Sequence, residues 1–250
     1  MNPPSSFPSS SESPRVVIER RPVPRPAPLT PDEERVVALV QPQVREVLRP
    51  GLADAVKRGI DMAGAVLGLF LLAPLLLGTA LAIRIESRGP VLFTQTRVGR
   101  GGRLFRIYKF RSMVIDAEAR KAALAARSDM DGASFKMRLD PRVTKIGRLI
   151  RKFSVDELPQ LLNVFLGDMS LVGPRPVPTA EVLRYEPWQM RRLLVTPGLT
   201  CIWQVSGRSN ISFEQWMRMD LDYIDRWSIG LDLALILRTI KVVVTGDGAY

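Results

Sequence analysis

The sequence predicts an α/β fold, mostly helical with one β-hairpin and small further strands, attached to a membrane from one side by a bent apolar helix. Three observations carry this reading. Residues 60–83 are apolar apart from Asp61 and Thr79, with Pro74 in the middle of the run and basic residues on both flanks. Two β-prone runs, 91–97 and 103–109, enclose the glycine-rich stretch Gly99, Gly101 and Gly102. Most of the chain beyond residue 116 is patterned for helices, broken by Pro and Gly. The chain divides into a Pro-, Ser- and Arg-rich tail over 1–50, a membrane-embedded segment over 51–84 and a catalytic-sized domain over 85–250.

In chain order, residues 1–28 have little to bury and read as a disordered, partly polyproline-like tail. A short helix is expected to begin at Thr30, with Pro31 as its first residue, in a region that Pro42 and Pro50 end. A signal peptide is not expected, because the apolar run begins too far from Met1. That run is long enough to cross about 30 Å of hydrocarbon as a helix, and too apolar on every face for an ordinary soluble helix. Pro74 removes a backbone donor and should bend it. Lys57 and Arg58 precede the run, and Arg84, Arg88, Arg97 and Arg100 come after it. The positive-inside bias would place both flanks in the cytoplasm, so a re-entrant helix that enters and returns on one side satisfies both.

Next, the two β-prone runs form a hairpin in which Lys109 shares a face with Phe105 and Ile107. The glycines match neither a P-loop nor a dinucleotide fingerprint and read as a turn. A charged helix over 116–126, a polar loop over 128–133, a turn at Asp140 and Pro141 and a basic helix over 144–152 come next. Asp156 and Glu157 then open an apolar helix ending at Gly167, and Gly173, Pro174, Arg175 and Pro176 form a stiff turn. A helix over 179–194 mixes Tyr185 and Trp188 with arginines, which suits either a membrane interface or an amphipathic surface. Residues 199–205 read as a strand and 206–210 as a polar loop. A helix over 213–227 carries Asp220, Asp222 and Asp225, better read as surface charge than as metal ligands. The last helix, 231–244, either packs in the core or lies on the bilayer.

Composition removes whole mechanisms. With no histidine there is no Ser-His triad, no imidazole base and no His-ligated zinc. Cys201 is the only cysteine, so no intrachain disulfide forms, and it reads as a small core residue. The net charge of +11 calls for an anionic partner, and residues 1–50 hold seven arginines against six acids, so the excess lies in the folded part.

Chemistry concentrates around residue 156. Ser154 followed by Glu157 fits a capping box, and acids in a first helical turn complement the macrodipole. Against that purely structural reading stand Lys145, Arg148, Arg151 and Lys152 just before the pair and Arg175 after it. Two acids among so many cations suit a phosphorylated, metal-bound ligand. Lys109 and Arg111 are either further phosphate contacts or a solvated strand end.

The segment 154–176 resembles the signature of the bacterial sugar transferases, monotopic phosphoglycosyl transferases that load a sugar-1-phosphate onto polyprenyl phosphate. Residues 89–99, Lys109 to Met113 and 197–208 extend the resemblance, which runs from about Val56 to the C-terminus. It implies a re-entrant membrane helix, Asp156 as nucleophile, Glu157 and Mg²⁺ assisting, and Asp156 and Glu157 as the metal ligands. It further implies phosphate contacts from Lys109, Arg111, Arg151 and Arg175, with Gln204 and Arg208 facing nucleotide or sugar. The expected donor is a UDP-hexose of glucose or galactose type, which the closing residues 246–250 favour weakly. The expected acceptor is undecaprenyl phosphate at the cytoplasmic face of the bacterial inner membrane, with membrane lipid as a further partner and homo-oligomerisation left open. Three alternatives stand beside it: a glycosyltransferase that releases UDP, a non-enzymatic membrane scaffold, and a basic nucleic-acid-binding protein. The last leaves the apolar run unexplained, and no nucleic-acid partner is expected.

Overall fold

In the computed structural model, which describes residues 29–44, 51–124, 137, 139–206 and 211–245, the apolar run folds as two helices. Helix α2 spans Leu52–Leu71 and α3 spans Ala73–Glu86, bent by 61° at the break. The bend sits at Leu72, two residues before Pro74, which occupies the first turn of α3. A proline there has no N–H to return to Phe70, and its ring crowds the preceding turn, so the helix breaks ahead of it. Among the described residues no single helix is long and apolar enough to cross a membrane, but the bent pair is so taken together. Leu67, Phe70 and Leu71 on α2 and Leu77, Leu81 and Ile85 on α3 stand exposed.

The polar residues of α2 face inward. Asp61, 5% exposed, accepts the Ser170 hydroxyl at 2.9 Å and the Leu171 N–H at 2.8 Å. Lys57 Nζ lies 2.5 Å from Asp232 and 3.1 Å from the Val172 carbonyl, and Arg58 donates to the carbonyls of Val164 and Phe165. A carboxylate inside an apolar run is tolerable only when paired in this way, and here the pairing joins α2 to the rest of the chain.

Strands β1 (Leu92–Val98) and β2 (Leu104–Phe110) form the predicted antiparallel hairpin, turning through Gly101 and Gly102 at φ of 68° and 77°. The register opposes Phe93 to Lys109, Gln95 to Ile107 and Arg97 to Phe105. Directly opposed residues share a face. Phe105 and Ile107 bury that face against Ala65, Val164 and Met169.

After the charged helix α4 (Ala117–Leu124) comes α5 (Lys145–Lys152), capped by the Thr144 hydroxyl, which accepts the Gly147 N–H at 2.9 Å. A 3₁₀ segment (Val155–Gln160) runs into α6 (Leu161–Leu166), which stops at Gly167, φ 88°. Strand β3 (Ser170–Val172) pairs in parallel with β4 (Gly198–Thr200). Their joining loops touch so closely that a Cβ at Gly198 would lie 2.0 Å from the Gly173 nitrogen.

The structure revises several expectations. Helix α1 (Pro31–Val44) starts where predicted but continues past Pro42, in a region that the sequence alone assigns to the tail. Val36 and Val40 are buried among Val98, Val177, Val182, Tyr185, Leu193, Trp216 and Met217, so 29–44 belong to the folded body. The expected helix over 179–194 is α7 (Thr179–Val182) and a 3₁₀ segment (Pro187–Leu194), because Pro187 opens a new element capped by Glu186. Tyr185 and Arg192 there are buried, whereas Arg184 and Arg191 are exposed, so the stretch turns one side to the core. The expected strand over 199–205 gives way after Thr200 to α8 (Ile202–Val205). Helix α9 (Phe213–Asp225) pairs Asp222 and Asp225 with Arg226 and Arg191 near the surface, but Asp220 is buried. Helix α10 (Ile229–Thr245) packs in the core along one side only, burying Leu235 and exposing Leu233, Leu237, Ile240 and Val244. The tail 1–28, the loop 128–133 and the closing 246–250 lie outside the described residues.

Gly102 is where α1 meets the hairpin turn. Its φ is 77°, and a Cβ there would approach the Val40 Cβ to 2.8 Å. Gly102→Ala should therefore lower the unfolding free energy by about 1–3 kcal/mol. It should also speed proteolytic removal of the N-terminal segment; unchanged melting and cleavage would mean that α1 does not depend on this contact.

Candidate active site

The site is assembled where β2, the 3₁₀ segment after α5 and the turn after β3 converge. Ser154 joins α5 to the 3₁₀ segment at φ 54°, the single non-glycine residue with positive φ among those described. Such a conformation costs on the order of 1–3 kcal/mol and is held by its surroundings. It replaces the capping box read from the sequence: the Ser154 side chain makes no cap bond to the segment it precedes. Glu157 turns outward from that segment to cations on two other elements.

Glu157 Oε1 accepts Lys109 Nζ at 2.7 Å, and both its oxygens are bound by the two terminal nitrogens of Arg175, one at 3.1 Å. Burial alone would raise the Glu157 pKa, but the charges of Arg175 and Lys109 outweigh it and hold the carboxyl well below the usual range. Burial pulls Lys109 below the ordinary lysine range, against the opposing pull of Glu157. Asp156 stands differently. Its carboxylate makes no hydrogen bond or ion pair with any described residue. Burial, helped by the Glu157 charge, pushes it up to about 6, against the pull of Lys109, Arg151 and Arg175. One carboxylate is thus locked as an ion and its neighbour has its lone pairs open.

The structure brings together Glu157, Lys109 and Arg175 by contact, and Asp156 and Arg151, the latter in the last turn of α5, by charge. It adds Arg97, which the sequence reading leaves out of the site. Burial and the nearby Arg175 lower its pKa to about 10, and its Nη1 donates to the Pro176 carbonyl at 3.2 Å. The hairpin register is the available signal, since Arg97, Gln95 and Lys109 all lie on the face of Phe105 and Ile107. Asn163 escapes the sequence reading too: fully buried, it accepts the Tyr108 N–H at 3.0 Å and donates to the Arg106 carbonyl at 2.7 Å. Its amide thereby fixes the strand edge that carries Lys109.

Three predicted contacts fare otherwise. Arg111, 7% exposed, donates to the carbonyls of Ser87 and Arg88 and to the Ser87 hydroxyl, each at 2.9 Å. Those bonds tie it to the loop after α3, and it makes no ion pair with Asp156 or Glu157. Gln204 lies on α8 and accepts the buried Cys201 thiol, while its neighbour Trp203 carries the Arg175 guanidinium over its ring at 6.0 Å. Arg208 lies outside the described residues. Cys201 is buried, which pushes its thiol well above the usual range, in keeping with a core role.

Among the described residues no three acidic or cysteine side chains gather as a metal site. Mg²⁺ needs only one or two carboxylates when substrate phosphates and water complete its shell. The open Asp156 carboxylate fits that demand, whereas Glu157 would have to share oxygens that Lys109 and Arg175 already hold.

Residues 52–246 match the family model described as bacterial sugar transferase. The chain is 50% identical over 194 residues to a galactosyl transferase of Streptococcus agalactiae, covering 77% of this chain and 43% of that one. It is 42% identical over 199 residues to the undecaprenyl-phosphate galactose phosphotransferase of Salmonella typhimurium, covering 78% and 41%. Against the UDP-glucose:undecaprenyl-phosphate glucose-1-phosphate transferase of Caulobacter vibrioides identity is 45% over 217 residues, covering 81% and 77%. The match thus spans less than half the length of the first two relatives and about three quarters of the third.

Asn163→Leu would leave the Tyr108 N–H and Arg106 carbonyl unpaired in a buried site. The expected loss is about 2–4 kcal/mol in unfolding free energy. A change below about 0.5 kcal/mol in denaturant titration would show that the amide does not hold the strand.

Proposed function

The chain belongs to the bacterial sugar transferase family, and from that premise we propose that it moves a hexose-1-phosphate from a UDP-sugar to undecaprenyl phosphate, releasing UMP. The observation that carries this reading is the contrast within one dipeptide: Glu157 is bound by Lys109 and Arg175, whereas Asp156 has no hydrogen-bond or ion-pair partner among the described residues. Lys109, Arg97, Arg151 and Arg175 face two carboxylates, an excess of two positive charges that matches a diphosphate.

In the first step an Asp156 oxygen attacks the phosphorus nearest the sugar, and the bond from that phosphorus to the UMP oxygen breaks. UMP departs with the electron pair, and no proton transfer is required, which suits a chain without histidine. In the second step a phosphate oxygen of undecaprenyl phosphate attacks the same phosphorus. The acyl-phosphate bond breaks and the Asp156 carboxylate returns. One diphosphate linkage is lost and one gained, so the overall exchange is close to balanced. The cations are fixed before the ligand arrives, so stabilising charge at phosphorus costs little reorganisation. Glu157 holds Lys109 and Arg175 at the correct separation. Mg²⁺, held by Asp156 with a share from Glu157, would supply further neutralisation of the diphosphate. Galactose- and glucose-type donors are those of the named relatives, and Gln204 and Arg208 are proposed to face nucleotide or sugar.

The bent pair α2–α3 is proposed to enter and leave the cytoplasmic leaflet of the bacterial inner membrane from one side, leaving the Asp156 cluster on the cytoplasmic face. Lys57, Arg58 and Arg84 lie at its two ends, and α2 is tied to β3 through Asp61. Exposed apolar side chains on both helices, Leu67, Phe70 and Leu71 on α2 and Leu77, Leu81 and Ile85 on α3, support burial in lipid.

Asp156→Asn should lose at least about 10³-fold in transfer while folding and membrane association persist, because an amide is a poor nucleophile of the same shape. Mass analysis of intact wild-type protein with UDP-sugar should show a trapped phosphosugar. Release of UDP would instead identify an ordinary glycosyltransferase. Pro74→Ala should restore the missing backbone bond and straighten the pair, making a cysteine introduced near the N-terminus accessible from outside; an unchanged labelling pattern would place the bend's cause elsewhere.

A further inference from the structure

The turn that presents Arg175 is held by its carbonyl oxygens. Pro174 and Pro176 have no N–H, so half the donors such a turn would use are missing from the sequence. Four successive carbonyls are instead bound from outside. Pro174 accepts the Gly198 N–H at 2.9 Å, and Val177 accepts the Val98 N–H at 2.9 Å. Between them Arg175 accepts Arg192 Nη2 at 2.8 Å, and Pro176 accepts Arg97 Nη1 at 3.2 Å.

Of these donors Arg192 is the least expected. It is 2% exposed, in the 3₁₀ segment after α7, and its other terminal nitrogen donates to the Tyr185 hydroxyl at 2.5 Å. Asp220 of α9 lies 2.7 Å from it. The rings of Tyr185 and Trp216 lie 5.7 and 5.2 Å from its guanidinium carbon. The Tyr185 hydroxyl in turn donates to Glu181 at 3.0 Å. A buried guanidinium with this many constraints has one orientation, and it delivers that orientation to the main chain of residue 175.

We propose that Arg192 is a positioning residue that acts through Arg175: it sets the main chain there so that the Arg175 guanidinium reaches both oxygens of Glu157. Tyr185 and Asp220 fix Arg192 in turn. This rests on the proposed phosphosugar transfer for its kinetic consequences, but not for its structural one. The carbonyl of a residue and the root of its side chain share one Cα, so releasing the first lets the second drift. A drift of about 1 Å at a charge-stabilising group costs on the order of 10²-fold in rate.

The test compares Arg192→Lys, Arg175→Met and the double variant in the full-length, membrane-reconstituted protein. Lysine keeps the charge beside Asp220 but, with a single nitrogen, cannot reproduce the two-nitrogen span from the Tyr185 hydroxyl to the residue 175 carbonyl. With UDP-sugar and undecaprenyl phosphate, Arg192→Lys should lower kcat about 10- to 100-fold, with donor KM within about threefold of wild type. In the Arg175→Met background it should change kcat by less than about twofold, since the group it positions is gone. Additive losses would overturn the proposal, as would an effect on KM alone. A readout independent of the reaction is the ¹⁵N spectrum of arginine side chains, in which Arg175, bound to Glu157, should give slowly exchanging Nη–H signals that vanish in Arg192→Lys. Their persistence would sink the positioning role even if transfer were confirmed; their loss with no UMP formed by wild type would uphold it and defeat the proposed reaction. Should Arg192→Lys not fold, Tyr185→Phe removes one bond to Arg192 while keeping the ring, and should reproduce both effects at smaller size.

Discussion

Everything at the site depends on one shared anion, the Glu157 carboxylate, held between a lysine 48 residues before it and an arginine 18 residues after it. Breaking such a part-buried pair by removing one partner leaves a charge with neither water nor counterion, which is far costlier than loss of a surface bridge. The geometry is therefore self-enforcing. Strand β2, the 3₁₀ segment and the Gly173 to Pro176 turn must meet for the charges to be satisfied, and when they meet Asp156 is left as the carboxylate that no described residue binds. The αL conformation of Ser154 is held in the same assembly.

A second set of bonds relates that assembly to the apolar pair. Asp61, Lys57 and Arg58 sit on the inward side of α2 and bind β3, the start of α10 and the end of α6. Val172 shows how closely these roles are joined: its carbonyl accepts both Lys57 and the Tyr223 hydroxyl at 3.1 Å, and the next residue opens the Arg175 turn. A shift of α2 would be passed along the main chain from Val172 to Arg175 and, through its ion pair, to Glu157.

Much of this is legible in the sequence where a short-range rule suffices. Periodicity gives the apolar run and its break to within two residues, and alternation places Lys109 beside Phe105 and Ile107. The basic helix before Lys152 and the Gly167 stop are readable for the same reason. Features that escape depend on partners distant in sequence. Glu157 looks like a capping acid because its cations lie on other elements. Arg111 looks like a phosphate contact because nothing local shows that the carbonyls of Ser87 and Arg88 will claim it. Asp220 resembles Asp222 and Asp225 until Arg192 is folded against it. Asn163 carries no signal at all: an asparagine in an apolar run is informative only once a strand edge is known to lie beside it.

Helix α1 extends the same reasoning beyond the part of the chain that matches the family. Residues 52–246 carry Asp156, Glu157 and every cation around them, yet Val36 and Val40 complete the core behind the Arg175 turn. That core includes Val98 and Val177, which are hydrogen-bonded to each other, and it abuts Tyr185 and Trp216, which enclose Arg192. Fully burying two valines stabilises by roughly 3–6 kcal/mol, comparable to a large share of a domain's net stability. A segment that contributes this much to the wall holding Arg97, Arg192 and Val177 is part of the site's support, although no reacting group comes from it.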